Sequence, residues 1–267
     1  MKYSLLVPTR ERPNEVDRFL DSVFQNTHQI NNLEILFAID NDDGISLINI
    51  EKMQHKYSKI LIKYFTRNRS EMLNEDYYNW LGRQAQGDML WIMGDDVVIV
   101  QPKWDVYITN TLECYFSKYP DRIVCASIKD NTPPPSHRLP KYPCFPMFSK
   151  ETIIAQEGWL LHPKVPTWGA DYVTYCIFKP LGRLLEFHNT NYLNHVSWHT
   201  KQIPEDAVNK RIGGIFNKLK MIPHYNTDRI IAEEVPTIRG HIRDYILKHN
   251  GHIEPEEYTP FDPRQKG

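Results

Sequence analysis

Two adjacent carboxylates, Asp95 and Asp96, follow the apolar run Met89-Leu90-Trp91-Ile92-Met93 after a single glycine, Gly94. At the end of a strand, such a pair can hold a divalent cation, and the cation in turn can hold phosphate oxygens. Two earlier apolar runs also stop at polar clusters. Ser4-Leu5-Leu6-Val7 ends in Pro8-Thr9-Arg10-Glu11-Arg12, and the run 33–39 ends in Asp40-Asn41-Asp42-Asp43-Gly44. An acid does not attract a phosphate, so Asp40 suits a hydrogen bond to a base or ribose. Arg10, Arg12, Arg67 and Arg69 offer guanidinium groups that pair bidentately with phosphate. Each feature also has a plain reading. Turns favour Asp for local hydrogen bonds. Arg12 and Arg67 read best as solvated loop charges, whereas Arg10 and Arg69 divide evenly between the two roles.

These groups act together only if the chain brings them to one edge. Strand signals at 4–7, 33–39, 60–65 and 89–93 alternate with helix signals. Asn14 reads as the N-cap of a helix with Val16, Phe19, Leu20 and Val23 on one face, a second helix covers 46–57, and a third covers 74–85 and ends at Gly87. This alternation predicts an α/β fold with a mostly parallel sheet and helices on both faces. Ligands of such sheets bind beyond the carboxyl ends of the strands. Further on, a helix is expected at 104–118, a strand at 123–127, a helix at 171–178 and a strand at 191–196. Pro133, Pro134, Pro135, Pro140, Pro143 and Pro146 place an ordered loop or lid around 131–146, outside regular elements. From residue 201 the pattern is helical and polar, with a frayed end after Gly251.

The bulk numbers narrow the function. At 267 residues the chain fits one large domain, or a domain with an appendage, and 41% hydrophobic residues exclude a disordered chain. A formal charge of -1 offers no global field for nucleic acid or an acidic membrane. Tyr and Trp cluster between 140 and 200, where rings stack on sugars or bases, although a Tyr-rich core is the first reading for any one of them. Cys114, Cys125, Cys144 and Cys176 form no CxxC pair, which argues against zinc and for a reducing compartment. No stretch approaches the roughly 18 apolar residues of a membrane span, so a cytoplasmic location without a transmembrane segment is expected.

The blocks Ser4-Leu5-Leu6-Val7-Pro8-Thr9-Arg10, Ile39-Asp40-Asn41-Asp42-Asp43-Gly44, Asn79 through Ala85-Gln86-Gly87-Asp88, and Gly94-Asp95-Asp96 occur in an order that resembles the GT-A fold glycosyltransferases, especially family 2-like members. The resemblance covers residues 1–100 well and 100–200 more thinly. It implies a Rossmann-like nucleotide-binding half over 1–100, an acceptor half over 101–200 and a helical extension over 201–267. By the same resemblance Pro8, Thr9 and Arg10 form the nucleotide-contacting turn, Asp40 takes the base, and Asn79 and Arg69 belong to the donor side. Gly94-Asp95-Asp96 is similar to the family's DxD site, with Asp96 as metal ligand and Asp95 on ribose or a metal-bound water. Two departures stand out: Gly94 replaces the first acid, and Leu81 stands where the family often has glycine. Trp168-Gly169-Ala170-Asp171 is similar to the segment carrying the catalytic base, which assigns that role to Asp171, although a helix N-terminal Asp also serves the macrodipole. His195, ahead of His199, matches the histidine that completes the metal site, and manganese or magnesium is the implied cation.

The implied activity is transfer of a sugar from a nucleoside-diphosphate sugar, by family habit a UDP-sugar, to a hydroxyl of a glycan or glycoconjugate, as in polysaccharide biosynthesis. Inversion is expected, with Asp171 as base. Two rivals are a nucleotidyltransferase that makes a nucleotide-sugar and a non-catalytic glycan-binding relative. The first usually carries a glycine-rich loop after its first strand, and Pro8-Thr9-Arg10-Glu11-Arg12-Pro13 has no glycine. The second is disfavoured by the joint presence of Asp96, Asp171 and His195.

Overall fold

Apolar runs without alternation need cover on both faces, and the sheet is built from them. The computed structural model describes residues 1–131, 142–187, 189–196 and 207–253. Its strands are β1 (Tyr3–Thr9), β2 (Leu33–Asp40), β3 (Leu61–Arg67), β4 (Met89–Ile92), β5 (Val97–Ile99), β6 (Cys125–Ile128), β7 (Pro146–Ser149), β8 (Leu184–Phe187) and β9 (Leu193–His195). The helices are α1 (Pro13–Asn26), α2 (Gly44–Lys56), α3 (Trp80–Gln84), α4 (Trp104–Lys118), α5 (Lys150–Ala155), α6 (Ala170–Phe178), α7 (Ala207–Leu219), α8 (Thr227–Glu233) and α9 (Val235–Lys248). A π-helical turn, Asn74–Asn79, leads into α3.

The main sheet runs β3-β2-β1-β4-β7-β6-β8, and β5 pairs with β9 in a separate two-stranded ribbon. β1 is parallel to β2 and β4, and β2 to β3, so four consecutive neighbours point their carboxyl ends the same way. β7 is antiparallel to both of its neighbours, and β6 and β8 are parallel. The chain adds β2 and β3 on one side of β1 and then β4 on the other. That reversal makes the carboxyl ends of β1 and β4 a topological switch point, the place where open α/β sheets bind ligands.

The expected helix face of Val16, Phe19, Leu20 and Val23 is buried as α1. Asn14 is not its cap, however: Pro13 occupies the first turn and Arg12 the N-cap, because proline's fixed φ starts the helix earlier. Nor does Gly87 end a helix. Ala85 is the C-cap, and a Cβ on Gly87 would stand 2.5 Å from Ser4 Oγ, so glycine there permits close strand approach. Pro146 corrects a third expectation, since it opens β7 instead of lying in a lid. Its missing N–H is tolerated at the first residue of a strand, where it pairs with Ser127. Pro133, Pro134, Pro135 and Pro140 fall outside the described residues.

The C-terminal helices share the sheet's core. Ile230, Val235, Ile242 and Ile246 pack in one cluster with Leu6, Leu36, Leu90, Phe148 and Val173. A fully buried ion pair fastens this face, with Arg183 Nη2 lying 3.0 Å from Asp121 Oδ2 and donating at 2.7 Å to the His252 carbonyl. The guanidinium also lies 4.2 Å from the Tyr119 ring centroid. Arg183→Met leaves Asp121 charged and unpaired in the interior, and is expected to destabilise the fold by about 3–5 kcal/mol in urea unfolding. No helix among the described residues is long and apolar enough to cross a membrane.

Candidate active site

The β1–α1 turn is pinned from beneath. Glu11, at a left-handed φ of 55°, donates its backbone N–H to Asp43 Oδ2 at 2.8 Å and to Ser46 Oγ at 3.1 Å. Asp43 also caps α2 through the Ser46 N–H, so one buried acid ties the β1 turn to the β2 turn. This fixes the directions of Arg10 and Arg12, which leave the turn toward different partners.

Arg10 turns to the end of β2. Its Nη1 donates to Asp40 Oδ2 at 2.9 Å, and the guanidinium grips Asp42 with both terminal nitrogens, at 2.5 and 3.2 Å. Asp40 is buried and also accepts the Tyr77 hydroxyl at 2.5 Å, with Arg69 Nε 3.9 Å away. Burial, with the Asp40 charge adding, pushes the Tyr77 hydroxyl up to about 12, so it remains a donor. Arg67 lies over Tyr77 and Trp80 and pairs with Asp76 at 3.1 Å, a role for the π-helical turn rather than a solvated charge. Asp40, Arg10 and Arg69 thus gather at the carboxyl edge of the sheet, and Pro8 belongs to β1 opposite Ala38.

Arg12 turns the other way. It is buried, and its Nη1 donates to Asp95 Oδ1 at 2.9 Å. Thr9 Oγ1 donates to Asp95 Oδ2 at 2.7 Å, so both Asp95 oxygens are engaged from the β1 turn. Asp96 is more open. Its Oδ2 lies 3.4 Å from His195 Nε2 and 4.0 Å from Arg12 Nη1. The ribbon brings His195 there, because Val97 on β5 registers with His195 on β9 and the Val196 N–H donates to the Asp96 carbonyl. Asn131 and an edge-on Phe145 ring, 5.0 Å away, flank the histidine. Burial raises the Asp95 carboxyl above the usual range, with Arg12 opposing and the Asp96 charge adding. Burial works against the Asp96 charge too, but the hydrogen bond and charge of His195 and the charge of Arg12 outweigh it, holding this carboxyl low. Tyr78 closes the floor, its hydroxyl donating to the Met93 carbonyl at 3.1 Å.

Asp96 and His195 together offer oxygen and nitrogen donors at the same carboxyl edge, which fits a divalent cation that takes its other ligands from diphosphate and water. Gly94 has a physical account here. A Cβ at that position would lie 2.5 Å from Asp96 Oδ1, so any side chain displaces the carboxylate. Gly94→Asp supplies the acid that the DxD pattern lacks, yet it moves Asp96, so any manganese affinity that rests on Asp96 is expected to fall, roughly tenfold or more. Paramagnetic titration of manganese checks this.

On the other half of the sheet, Asp171 sits in the first turn of α6, after Gly169 at a φ of 94°. Burial raises its carboxyl above the usual range, and the nearby Asp130 charge adds to this, while the Tyr172 N–H works against it. Asp130 follows β6 and bridges to Leu193, two residues before His195. Trp168 meets Phe216 of α7 at 5.7 Å between centroids, and a Cβ on Gly213 would be 3.2 Å from its ring. Helix α7 therefore covers the segment that carries Asp171.

Asn79 is not brought to this corner. It is buried, donates to Glu75 and the Leu161 carbonyl, and accepts the Leu160 and Leu161 N–H groups, stitching the π-helical turn to 160–161. His199 lies outside the described residues. Sequence reasoning missed Asp43, Tyr77 and Asp130, and it set Arg12 aside as a loop charge. Only the Pro13 that fixes the helix start hinted that Arg12 is held in place.

The sequence matches no protein-family model and no curated protein. Solved structures do match. The chain superposes on Staphylococcus aureus TarS 1-349 in complex with UDP with a TM-score of 0.56 and 13% identity, over 93% of this chain and 89% of that one. The fold is GT-A. The mannosyltransferase PcManGT from Pyrobaculum calidifontis, in complex with GDP-Man and Mn2+, gives 0.58 at 10% identity over 93% and 75% of the two chains. GalNAc-T7 with UDP, GalNAc and Mn2+ gives 0.54 at 14% identity, over 95% of this chain and 55% of that one. At such identities the likeness establishes the GT-A architecture; what the chain does follows from its own residues.

Proposed function

We propose that this GT-A chain is a glycosyltransferase that moves a sugar from a nucleoside-diphosphate donor to a hydroxyl of a glycan or glycoconjugate. The observation that carries this reading is the Asp96–His195 pair after β4, at the same carboxyl edge of the sheet as Arg10 after β1, Asp40 at the end of β2 and Arg69 after β3. A divalent cation held by Asp96 and His195 would neutralise the departing diphosphate. Asp95, fixed by Thr9 and Arg12, lies beside it for the ribose or a bound water. In this reading Asp40 and Arg10 take the base, and Arg69, partly exposed 3.9 Å from Asp40, takes phosphate.

Asp171 is the base in this reading. Its raised carboxyl is a better proton acceptor once ionised, and the acceptor oxygen loses its proton to it while attacking the anomeric carbon in a single displacement. Uridine diphosphate is the first nucleotide to test, since TarS and GalNAc-T7 were each solved with it. The structural neighbours were solved with UDP, with GDP-Man and Mn2+, and with UDP, GalNAc and Mn2+, and these ligands support a nucleotide-sugar-using transferase over a nucleotidyltransferase.

A thermal-shift panel of nucleoside diphosphates, with and without manganese, tests the proposal. A bound ligand at a hundred times its dissociation constant adds about 2.7 kcal/mol of stability. Stabilisation by one diphosphate that depends on manganese is expected. A panel with no shift for any nucleotide would remove the donor site.

A further inference from the structure

We propose that Arg12 is a resident counter-cation of the carboxylate pair, which keeps the metal corner weak until a diphosphate arrives. This rests on the reading of Asp96 as the metal-holding acid. One nitrogen, Arg12 Nη1, stands 2.9 Å from Asp95 Oδ1 and 4.0 Å from Asp96 Oδ2. The guanidinium is buried, it belongs to the N-cap residue of α1, and it does not lose its proton in a protein. Its charge therefore belongs permanently to the site and neutralises one of the two carboxylates. Asp95 is the carboxylate so matched, with Thr9 on its other oxygen. Among the described residues, a cation approaching Asp96 meets the fixed positive charge of Arg12 nearby and has Asp96 and His195 to grip it. A nucleoside diphosphate changes that balance, because it brings negative charge to both the metal and Arg12. Binding of metal and donor is then ordered: the nucleotide first, or the two together.

Free manganese measured by its paramagnetic signal, in the absence of nucleotide, tests this through a double-mutant cycle. Arg12→Gln is expected to tighten manganese binding about tenfold or more, because it deletes a like charge close to the cation. The paired change Arg12→Gln with Asp95→Asn replaces the ion pair by a neutral amide pair, leaves the local charge balance unaltered, and is expected to bind manganese as the wild type does. Unchanged or weaker binding in Arg12→Gln would overturn the proposal, as would loss of binding in the paired variant, which would make Asp95 itself the ligand. Should Arg12→Gln fail to fold around an unpaired Asp95, Asp95→Asn decides instead. It leaves the Arg12 charge unmatched beside Asp96 and is expected to weaken manganese binding about tenfold or more, with binding restored in the paired variant. Unchanged binding in Asp95→Asn would overturn the proposal. Absence of manganese binding by the wild type, with and without uridine diphosphate, would overturn both this proposal and the metal corner. Binding by the wild type without tightening in Arg12→Gln would overturn only the role of Arg12.

Discussion

Asp96→Asn is expected to lower sugar transfer about a thousandfold and to abolish the manganese-dependent part of nucleotide stabilisation. The amide keeps the shape of the side chain and removes the charge that meets the cation, and losing one such electrostatic partner in a preorganised site costs roughly 10²–10³ in rate, with the cation itself worth more. The fold should survive. Asp96 keeps its backbone bond from the Val196 N–H, and Asp95 keeps Thr9 and Arg12. The decisive comparison is transfer of a labelled sugar beside the melting temperature. A variant with normal melting and undiminished transfer would take the carboxylate out of the chemistry. A variant that melts early and loses both activities would make Asp96 a folding residue instead.

Asp171→Asn separates the second half of the site from the first. A positioned general base contributes about 10²–10⁴-fold, so transfer is expected to fall by that factor while nucleotide and manganese binding stay as they were. The pH profile has a definite sign. Burial raises this carboxyl above its ordinary range, and a base must be ionised to act. Transfer should therefore rise with pH through that raised value and be lost as pH falls through it, and the acidic limb should disappear in Asp171→Asn. Stability runs the opposite way. A carboxyl whose pKa is higher in the folded chain than in the unfolded one favours folding when protonated, so its ionised form works against the fold at neutral pH. The asparagine variant is expected to melt at the same temperature or higher. A merely structural acid would show the reverse pattern, lower melting with transfer reduced in proportion.

The first half of the fold was legible because its strands are uninterrupted apolar runs. Leu5, Leu6 and Val7, then Ile35 through Ile39, are fully buried, and such short apolar runs bounded by turn residues read as strands covered on both faces. Helix α4 was placed residue for residue, since Ile108, Leu112 and Phe116 recur on its inward side. Sequence did not show the short strands β5, β7 and β8. β5 exists because β9 lies against it, and β7 begins with a proline in a stretch that reads as loop. The π-helical turn was also hidden, because its buried Asn74 and Asn79 face carbonyls and N–H groups some eighty or ninety residues away. The site divides in the same manner. Asp40, Asp95 and Asp96 were readable as acids at strand ends. The duty of Arg12 was not, because its partner is 83 positions further along the chain and nothing local requires it.

The clustering of Ile230, Ile242 and Ile246 with Leu6 and Leu90 has a consequence for synthesis. A nascent chain displays the strand-end residues Arg10, Asp40, Asp95 and Asp96 early, but the apolar cluster on one face of the sheet is complete only when α9 has cleared the ribosome and packed on α6. Arg183 likewise waits for the His252 carbonyl. Expression of the first hundred residues alone should therefore give a sticky, chaperone-bound product instead of a small nucleotide-binding unit, and translational pausing before α9 should prolong that vulnerable interval.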